Sequence, residues 1–233
     1  MHKINILRKE RIPMSINIAI DGPAGAGKSS VAKALAKDLN YIYVDTGALY
    51  RAVAYYVSDK GADTKSIEQV EPLLKDVKIE LKFIDGTQRV FLNGTDVSDL
   101  IRTPEISMGA SNVSALPCVR KFLFELQRSI ARENNVIMDG RDIGTVVLPD
   151  AQLKIFLTAS PEERATRRFN ELQEKCNCPT YAEVLADIKT RDYNDSHRAT
   201  APLKQADDAV LIDSTDMTFN EVAEKIKTLI NGI

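Results

Sequence analysis

Short apolar runs alternate with helical stretches along most of the chain. Ile16–Asp21, Ile42–Asp45, Val136–Asp139, Leu153–Thr158 and Ala209–Ile212 are bounded by polar segments and lack a sustained polar face. Strands buried on both sides read this way, so the pattern predicts a parallel sheet covered by helices on either face. The intervening helices carry matching stripes: Val31, Leu35 and Leu39 recur at four-residue spacing, and Phe219, Val222, Ile226 and Leu229 share one face near the C-terminus. Capping boxes at Ser160-Pro161-Glu162-Glu163, Thr180-Tyr181-Ala182-Glu183 and Thr218-Phe219-Asn220-Glu221 mark three helix starts, the first with proline at the opening helical position.

Between about residues 76 and 102 the period changes to two. Ile79–Ile84 and Arg89–Leu92 alternate around Asp85-Gly86, and Asn93-Gly94 makes a second tight turn. A small antiparallel sheet is therefore expected as an insert, with helices following around Pro104–Ser114 and Pro117–Asn134. The linkers are short, so the insert should act as a lobe of one domain.

The chain has 233 residues, 44% of them hydrophobic, which suits one large α/β domain over residues 14–233. Residues 1–13 are basic and poorly patterned; with Met14 just ahead of the first strand, they read as a disordered extension or a misassigned start. Thirty-one basic and 33 acidic side chains leave a net charge of −2, so no field is present to hold a nucleic-acid polymer or an anionic membrane. Three cysteines cannot build a disulfide framework and suit a reducing compartment; Cys176 and Cys178 lack a second pair, and only His2 and His197 could join them, which argues against zinc. No apolar run reaches the length of a membrane span, so the expectation is a cytoplasmic, monomeric protein working on small molecules.

The chemistry centres on Gly22-Pro23-Ala24-Gly25-Ala26-Gly27-Lys28-Ser29, which fits G-x-x-x-x-G-K-[ST] between an apolar strand and a helix. Such a loop turns successive N–H groups toward a phosphate chain, and the lysine and the positive helix end neutralise it further. Lys28 is expected to reach the outer phosphates of ATP and Ser29 to join the shell of a Mg²⁺ ion, with Ser30 a plain helix residue at the edge of the site. Asp139, ending an apolar strand, either supports that metal shell or stabilises its own turn; the sequence leaves both open.

Arginines cluster where an α/β sheet puts its ligand, at the carboxyl ends of strands. Asp45-Thr46-Gly47-Ala48-Leu49-Tyr50-Arg51 and Asp139-Gly140-Arg141-Asp142 both end strands, which makes Arg51 and Arg141 candidates for bidentate phosphate binding. Arg164, Arg167 and Arg168 share one helical face by spacing, and Arg191, Asp195 and Arg198 form a second stripe. Guanidinium groups brought over a triphosphate by a mobile helix pair would stabilise the group in flight. An alcohol acceptor needs a positioned base, whereas a phosphate monoester with a second pKa of about 6 is already a nucleophile at neutral pH. Holders in excess and no H-R-D-type loop favour a nucleoside monophosphate acceptor; sugar and shikimate-type kinases, drawing a base from Asp45, remain one alternative and a nucleotide-dependent binding switch another.

These segments, together with Asp139-Gly140-Arg141-Asp142-Ile143-Gly144-Thr145 and Arg191-Asp192-Tyr193-Asn194-Asp195-Ser196-His197-Arg198, resemble the bacterial cytidylate kinases, part of the nucleoside monophosphate kinase group. The resemblance runs from about Ile16 to the last helix. It implies a P-loop NTPase-type core, a short arginine-bearing lid near residues 160–180 and a monophosphate-binding lobe enlarged by the antiparallel insert. It implies ATP and Mg²⁺, with CMP or dCMP as acceptor. By motif, Ser111, Arg120 and Asp142 would read cytosine; Arg51 and Arg141 would lie on the CMP phosphate side, with Tyr50 and Arg198 as further candidates there. Arg191 and Asp195 would hold the ribose. Thr46 stands near the substrate, where the family often has serine.

Overall fold

Strand and helix alternate through most of the backbone. The structure, a computed structural model, describes residues 15–84, 87–173 and 179–233. Expectations for residues 1–13, for Asp85-Gly86, for Cys176 and Cys178 and for residues 174–178 of the lid fall outside the described residues. The chain runs β1 (Asn17–Asp21), α1 (Lys28–Leu39), β2 (Ile42–Asp45), α2 (Thr46–Asp59) and a short α3 (Ile67–Val70), then the antiparallel trio β3 (Ile79–Ile84), β4 (Thr87–Leu92) and β5 (Thr95–Asp96). It continues with α4 (Pro104–Ser114), α5 (Pro117–Glu133), β6 (Val136–Gly140), β7 (Leu153–Thr158), α6 (Pro161–Gln173), α7 (Tyr181–His197), β8 (Val210–Asp213) and α8 (Phe219–Ile230).

The five strands expected from their apolar runs form one parallel sheet in the order β2-β6-β1-β7-β8. Central β1 buries Ile18, Ala19 and Ile20 completely, which is why its sequence shows no alternation. Register sets the chemistry: Ile20 lies beside Asp139, Asp21 beside Gly140, and Asp45 beside Asp139. The carboxyl ends of β1, β2 and β6 therefore finish level, and their loops open onto one crevice.

Under one face, Val31 and Leu35 of α1 pack with Val222, Ile226 and Ile230 of α8 and with Ile18, Ile20 and Ile155 of the sheet. Phe219 does not join that stripe as its spacing suggested. It opens the first turn of α8, stays exposed and lines the crevice instead. Both threonine capping boxes form, at Thr180 and Thr218. The serine box forms only halfway: Ser160 Oγ accepts from Glu163 N at 3.2 Å, but the Ser160 N–H goes to Thr215 Oγ1 and the Glu163 carboxylate to Arg167.

A second core joins the insert to the helices. Leu49, Val53 and Val57 on one stripe of α2 meet Val113, Val119 and Leu123 of α4 and α5 and the insert residues Ile79, Val90 and Leu92. Each such side chain contributes about 1.5–3 kcal/mol when fully buried. β3 and β4 pair antiparallel, Ile79 opposite Leu92, and Asn93 and Gly94 take the left-handed conformations of a tight hairpin turn into β5. Strand β5 has two residues, too few to show as alternation in the sequence. Among the described residues no helix is long and apolar enough to cross a membrane.

Candidate active site

The phosphate loop leaves β1 at Gly22, whose φ is +147°; a Cβ there would sit 1.9 Å from the carbonyl oxygen of Leu157 on β7. Only glycine lets the loop turn this close to the neighbouring strand. Three residues on, Gly25 has φ +77° and rests against Arg164, where a Cβ would meet the arginine Cβ at 3.2 Å. Helix α1 starts at Lys28 with no side chain capping its first turn, which leaves those N–H groups for an anion.

Lys28 is buried and its Nζ donates to the carbonyl of Pro23 at 2.8 Å. Burial, then the charge of Arg141, pushes its pKa well below the ordinary lysine range, against the pull of Asp139 and Asp21. Ser29 Oγ donates to Asp139 Oδ2 at 2.7 Å, joining residues 110 positions apart. Asp139 is itself buried, and burial together with Asp45 raises its carboxyl above the usual range. Its Oδ1 makes no hydrogen bond. A hydroxyl beside a carboxylate with a spare buried oxygen is a hard-donor set that suits Mg²⁺. Among the described residues no three acidic, histidine or cysteine side chains converge into a metal cage, so phosphate oxygens and waters would complete the shell. Tyr43 flanks this pair, its phenol raised above its ordinary pKa mainly by burial.

A cavity of about 660 Å³ runs from this loop past Asp45, Thr46, Tyr50 and Arg51 to Ser111 and Asp142. Thr46 Oγ1 donates to the Asp139 carbonyl at 2.7 Å. The segment after β2 is already helical at Thr46: Asp45 caps α2 through Oδ1 to Ala48 N at 2.9 Å and pairs Arg51 Nη2 through Oδ2 at 2.8 Å. Arg51 thus projects from a helix face rather than a strand end, with its Nε buried and unbonded.

At the far end, Asp142 is held between two guanidinium groups. Its Oδ2 accepts from Arg120 Nη2 and its Oδ1 from Arg198 Nη2 at 3.4 Å. Burial raises the Asp142 pKa, opposed by Arg120 and Arg198. Arg120 also donates to Ser114 O and stacks its guanidinium over the Tyr50 ring, 5.8 Å from the centroid. It stands behind the cavity wall, whereas Ser111 lines it with a buried hydroxyl that has no partner. Arg198 lies just past the end of α7, so the expected stripe with Arg191 and Asp195 breaks at its last member, yet all three line the cavity. Arg141 Nε donates to Asp195 Oδ2 at 2.7 Å, and Arg191 pairs with Asp187 at 2.8 Å while its Nε stays buried and unbonded.

The three arginines of α6 divide. Arg167 and Arg168 line the cavity, bonded to Glu163 and to Glu171. Arg164 does not; it is buried, with each guanidinium nitrogen bonded to protein. Gly22 and Pro23 likewise shape the loop without lining the cavity, while Ala24, Gly25, Ala26, Gly27 and Ser30 do line it.

Several functional positions carry no motif. Asp21 accepts from Ile143 N at 2.8 Å and Gly144 N at 2.7 Å and so fixes the wide turn behind Arg141 and Asp142. Its signal was present: like Asp139, it is an acid ending a buried apolar strand. Arg102 and Ser107 line the acceptor side, and Ser214, Met217 and Phe219 line the loop side; none shows a spacing that the sequence could mark.

The family model for cytidylate kinase matches residues 18–232. The cytidylate kinase of Caldicellulosiruptor saccharolyticus is 52% identical over 214 residues, covering 92% of this chain and 95% of that one. The cytidylate kinase of Lactobacillus johnsonii is 49% identical over 224 residues, 96% of this chain and 97% of that one. Among solved structures, an uncharacterized protein from Eubacterium ventriosum superposes with a TM-score of 0.51 at 14% identity, over 94% of this chain and 100% of that one, a likeness of fold alone. With a level row of strand ends, a phosphate loop and a family match over nearly its whole length, the chain belongs to the cytidylate kinase family.

Proposed function

We propose that this chain transfers the γ-phosphoryl group of ATP to CMP or dCMP, giving ADP and CDP or dCDP, with Mg²⁺ on the phosphates. The observation that carries the reading is that one cavity joins the phosphate loop to the corner of Ser111 and Asp142, with Arg51 and Arg141 between them. Two anions meeting there repel each other, and the guanidinium groups offset that repulsion.

In this reading the loop N–H groups and Lys28 hold the donor phosphates, and Arg51 and Arg141 hold the acceptor phosphate in line. Arg167 and Arg168 take the charge that spreads over the group in flight. Bound between Ser29, Asp139 and the phosphates, Mg²⁺ would neutralise charge on the β- and γ-oxygens. No base is needed, because the acceptor oxygen belongs to a phosphate already ionised at neutral pH. Asp142 accepts from the cytosine amino group beside Ser111, Arg120 holds Asp142 in place from behind the cavity wall, and Arg191 and Asp195 take the ribose. Tyr50, Thr46 and Arg198 frame that pocket. Asp45 is a poor base for an alcohol acceptor, since both of its oxygens are already engaged, by Ala48 N and Arg51. A monomeric, cytoplasmic setting without nucleic-acid or membrane partners belongs to the same proposal, and the near-neutral charge supports its last part.

A coupled assay of ADP release with CMP, dCMP, UMP, AMP, GMP and shikimate tests it. Turnover should be fastest with CMP or dCMP and slow with ATP alone, because acceptor binding completes the site. Turnover only with shikimate, or none with any pyrimidine monophosphate, would overturn the reading.

A further inference from the structure

We propose that Arg164, held by Asp192, is a positioning residue that sets the hydrogen-bonding direction of the phosphate loop. Three chain segments meet at its guanidinium. Nε donates to the carbonyl of Ala159 at the start of the α6 turn at 2.9 Å; Nη1 donates to Ala24 O and to Asp192 Oδ1, both at 3.0 Å; Nη2 donates to Asp192 Oδ2 at 2.6 Å. The arginine side chain is only 4% exposed, so a charged group has been taken out of water to make these bonds. The bidentate fork onto Asp192 fixes its plane as well as its place.

The bond to Ala24 has a consequence across the peptide plane. In a trans peptide the C=O of one residue and the N–H of the next point in opposite directions. A carbonyl of Ala24 aimed at the Arg164 guanidinium therefore turns the N–H of Gly25 away from it, and both Ala24 and Gly25 line the cavity. Gly25 lies against the arginine, with room for no Cβ beyond 3.2 Å, so the loop is pressed onto this support. One donor of the anion cradle is thus set by a salt bridge that never touches the anion.

Asp192 sits on α7 next to Arg191 and three residues before Asp195, both of which line the acceptor half of the cavity. One helix therefore braces the donor loop through Arg164 while facing the acceptor. The inference rests only on the donor half of the proposed function, ATP on the phosphate loop, and holds whatever the acceptor.

The test is calorimetric binding of Mg·ADP and of CMP to the full chain and to Asp192→Ala, Asp192→Glu and Arg164→Lys, with melting temperatures in parallel. A charge-assisted hydrogen bond is worth about 1.5–3 kcal/mol, so Asp192→Ala should weaken Mg·ADP about tenfold or more while CMP affinity changes less than about twofold. Asp192→Glu should recover part of the loss; Arg164→Lys, which keeps the charge but not the fork, should not. Arg164→Lys serves as the test if Asp192→Ala fails to fold. Unchanged Mg·ADP affinity in a folded variant overturns the proposal, as does an equal loss for both ligands, which would mean general loosening. Wild-type protein that binds Mg·ADP but not CMP would count against the proposed function and leave this inference standing.

Discussion

Arg141 Nε donates to Asp195 Oδ2 at 2.7 Å, and the pair spans 54 residues between the end of β6 and the last turn of α7. The bond fastens the helix to the sheet at the centre of the cavity. Burial works against the charge on Arg141, yet Asp195, with Asp139 and Asp192, holds its pKa above the ordinary guanidinium value. That charge reaches Lys28: after burial, Arg141 is the largest influence lowering the lysine, and Asp195 is among the groups that oppose it. The strength of the loop lysine is thus set partly from a helix that belongs to the other half of the site.

A proton inventory follows from this arrangement. Phosphate oxygens laid against Lys28 favour its ammonium form, so its pKa rises when nucleotide binds. At about pH 8, where neighbouring carboxyls are ionised, Mg·ADP binding should take up a fraction of a proton, read by calorimetry in two buffers of different ionisation enthalpy. Lys28→Met should abolish the uptake. Asp195→Asn should enlarge it, because Arg141 is then less compensated and the free lysine is weaker still. Binding without uptake in the wild type would show that Lys28 is fully charged beforehand.

Asp142 carries the selectivity prediction. Each of its oxygens already holds one guanidinium, yet an ionised carboxylate has about four acceptor sites, so a cytosine amino group can still be accepted. Uracil presents a carbonyl at that position and would be repelled. Asp142→Ala should lower kcat/KM for CMP by about ten- to a hundredfold, the value of a hydrogen bond to a charged group, while kcat/KM for UMP holds or rises as the repulsion is relieved and the KM of ATP changes little. Melting curves guard against collapse of the Arg120 and Arg198 pair. A CMP to UMP preference that survives in a folded variant would remove Asp142 from base recognition.

The parallel sheet was legible because its inner strands β1, β6 and β7 are buried on both faces and the apolar runs are local signals, although edge strand β8 leaves Val210 and Leu211 exposed. The phosphate loop was legible because its chemistry and its glycines lie within one turn of chain. What failed to show depends on partners distant in sequence. Spacing alone groups Arg164 with Arg167 and Arg168, but Arg164 turns inward to Asp192, 28 residues on, while the other two face the cavity. Phe219 fits an apolar stripe by period, yet it stays exposed and lines the cavity rather than the core under the sheet. Asp139 could be read two ways until register brought Ser29 to it from β1's side of the sheet. Arg51 looked like a strand-end residue because Asp45 ends an apolar strand, although the same aspartate is also the N-cap from which α2 starts at once.

Asp21 gives a pH signature of stability with an unusual sign. Its two oxygens accept from Ile143 N and Gly144 N, which favours the ionised form, but burial outweighs them and raises the carboxyl to about 6 from 3.8. The folded chain then binds this proton more tightly than the unfolded chain, so the contribution is present in full below about pH 4 and is lost as pH rises toward about 6. Two pKa units correspond to about 3 kcal/mol, an upper figure for a group this buried. Asp21→Asn cannot titrate, and its amide N–H₂ would face one of the two backbone N–H groups, costing about 1–3 kcal/mol and shifting the turn that carries Arg141 and Asp142. Urea midpoints should therefore show wild type losing ground to the variant between about pH 4 and pH 6 and a constant difference above, with kcat/KM for CMP reduced in the variant throughout. A difference that grows in favour of wild type over that interval would mean the two N–H bonds outweigh burial, and Asp21 would then be a carboxylate stabilised by its turn rather than one strained to hold it.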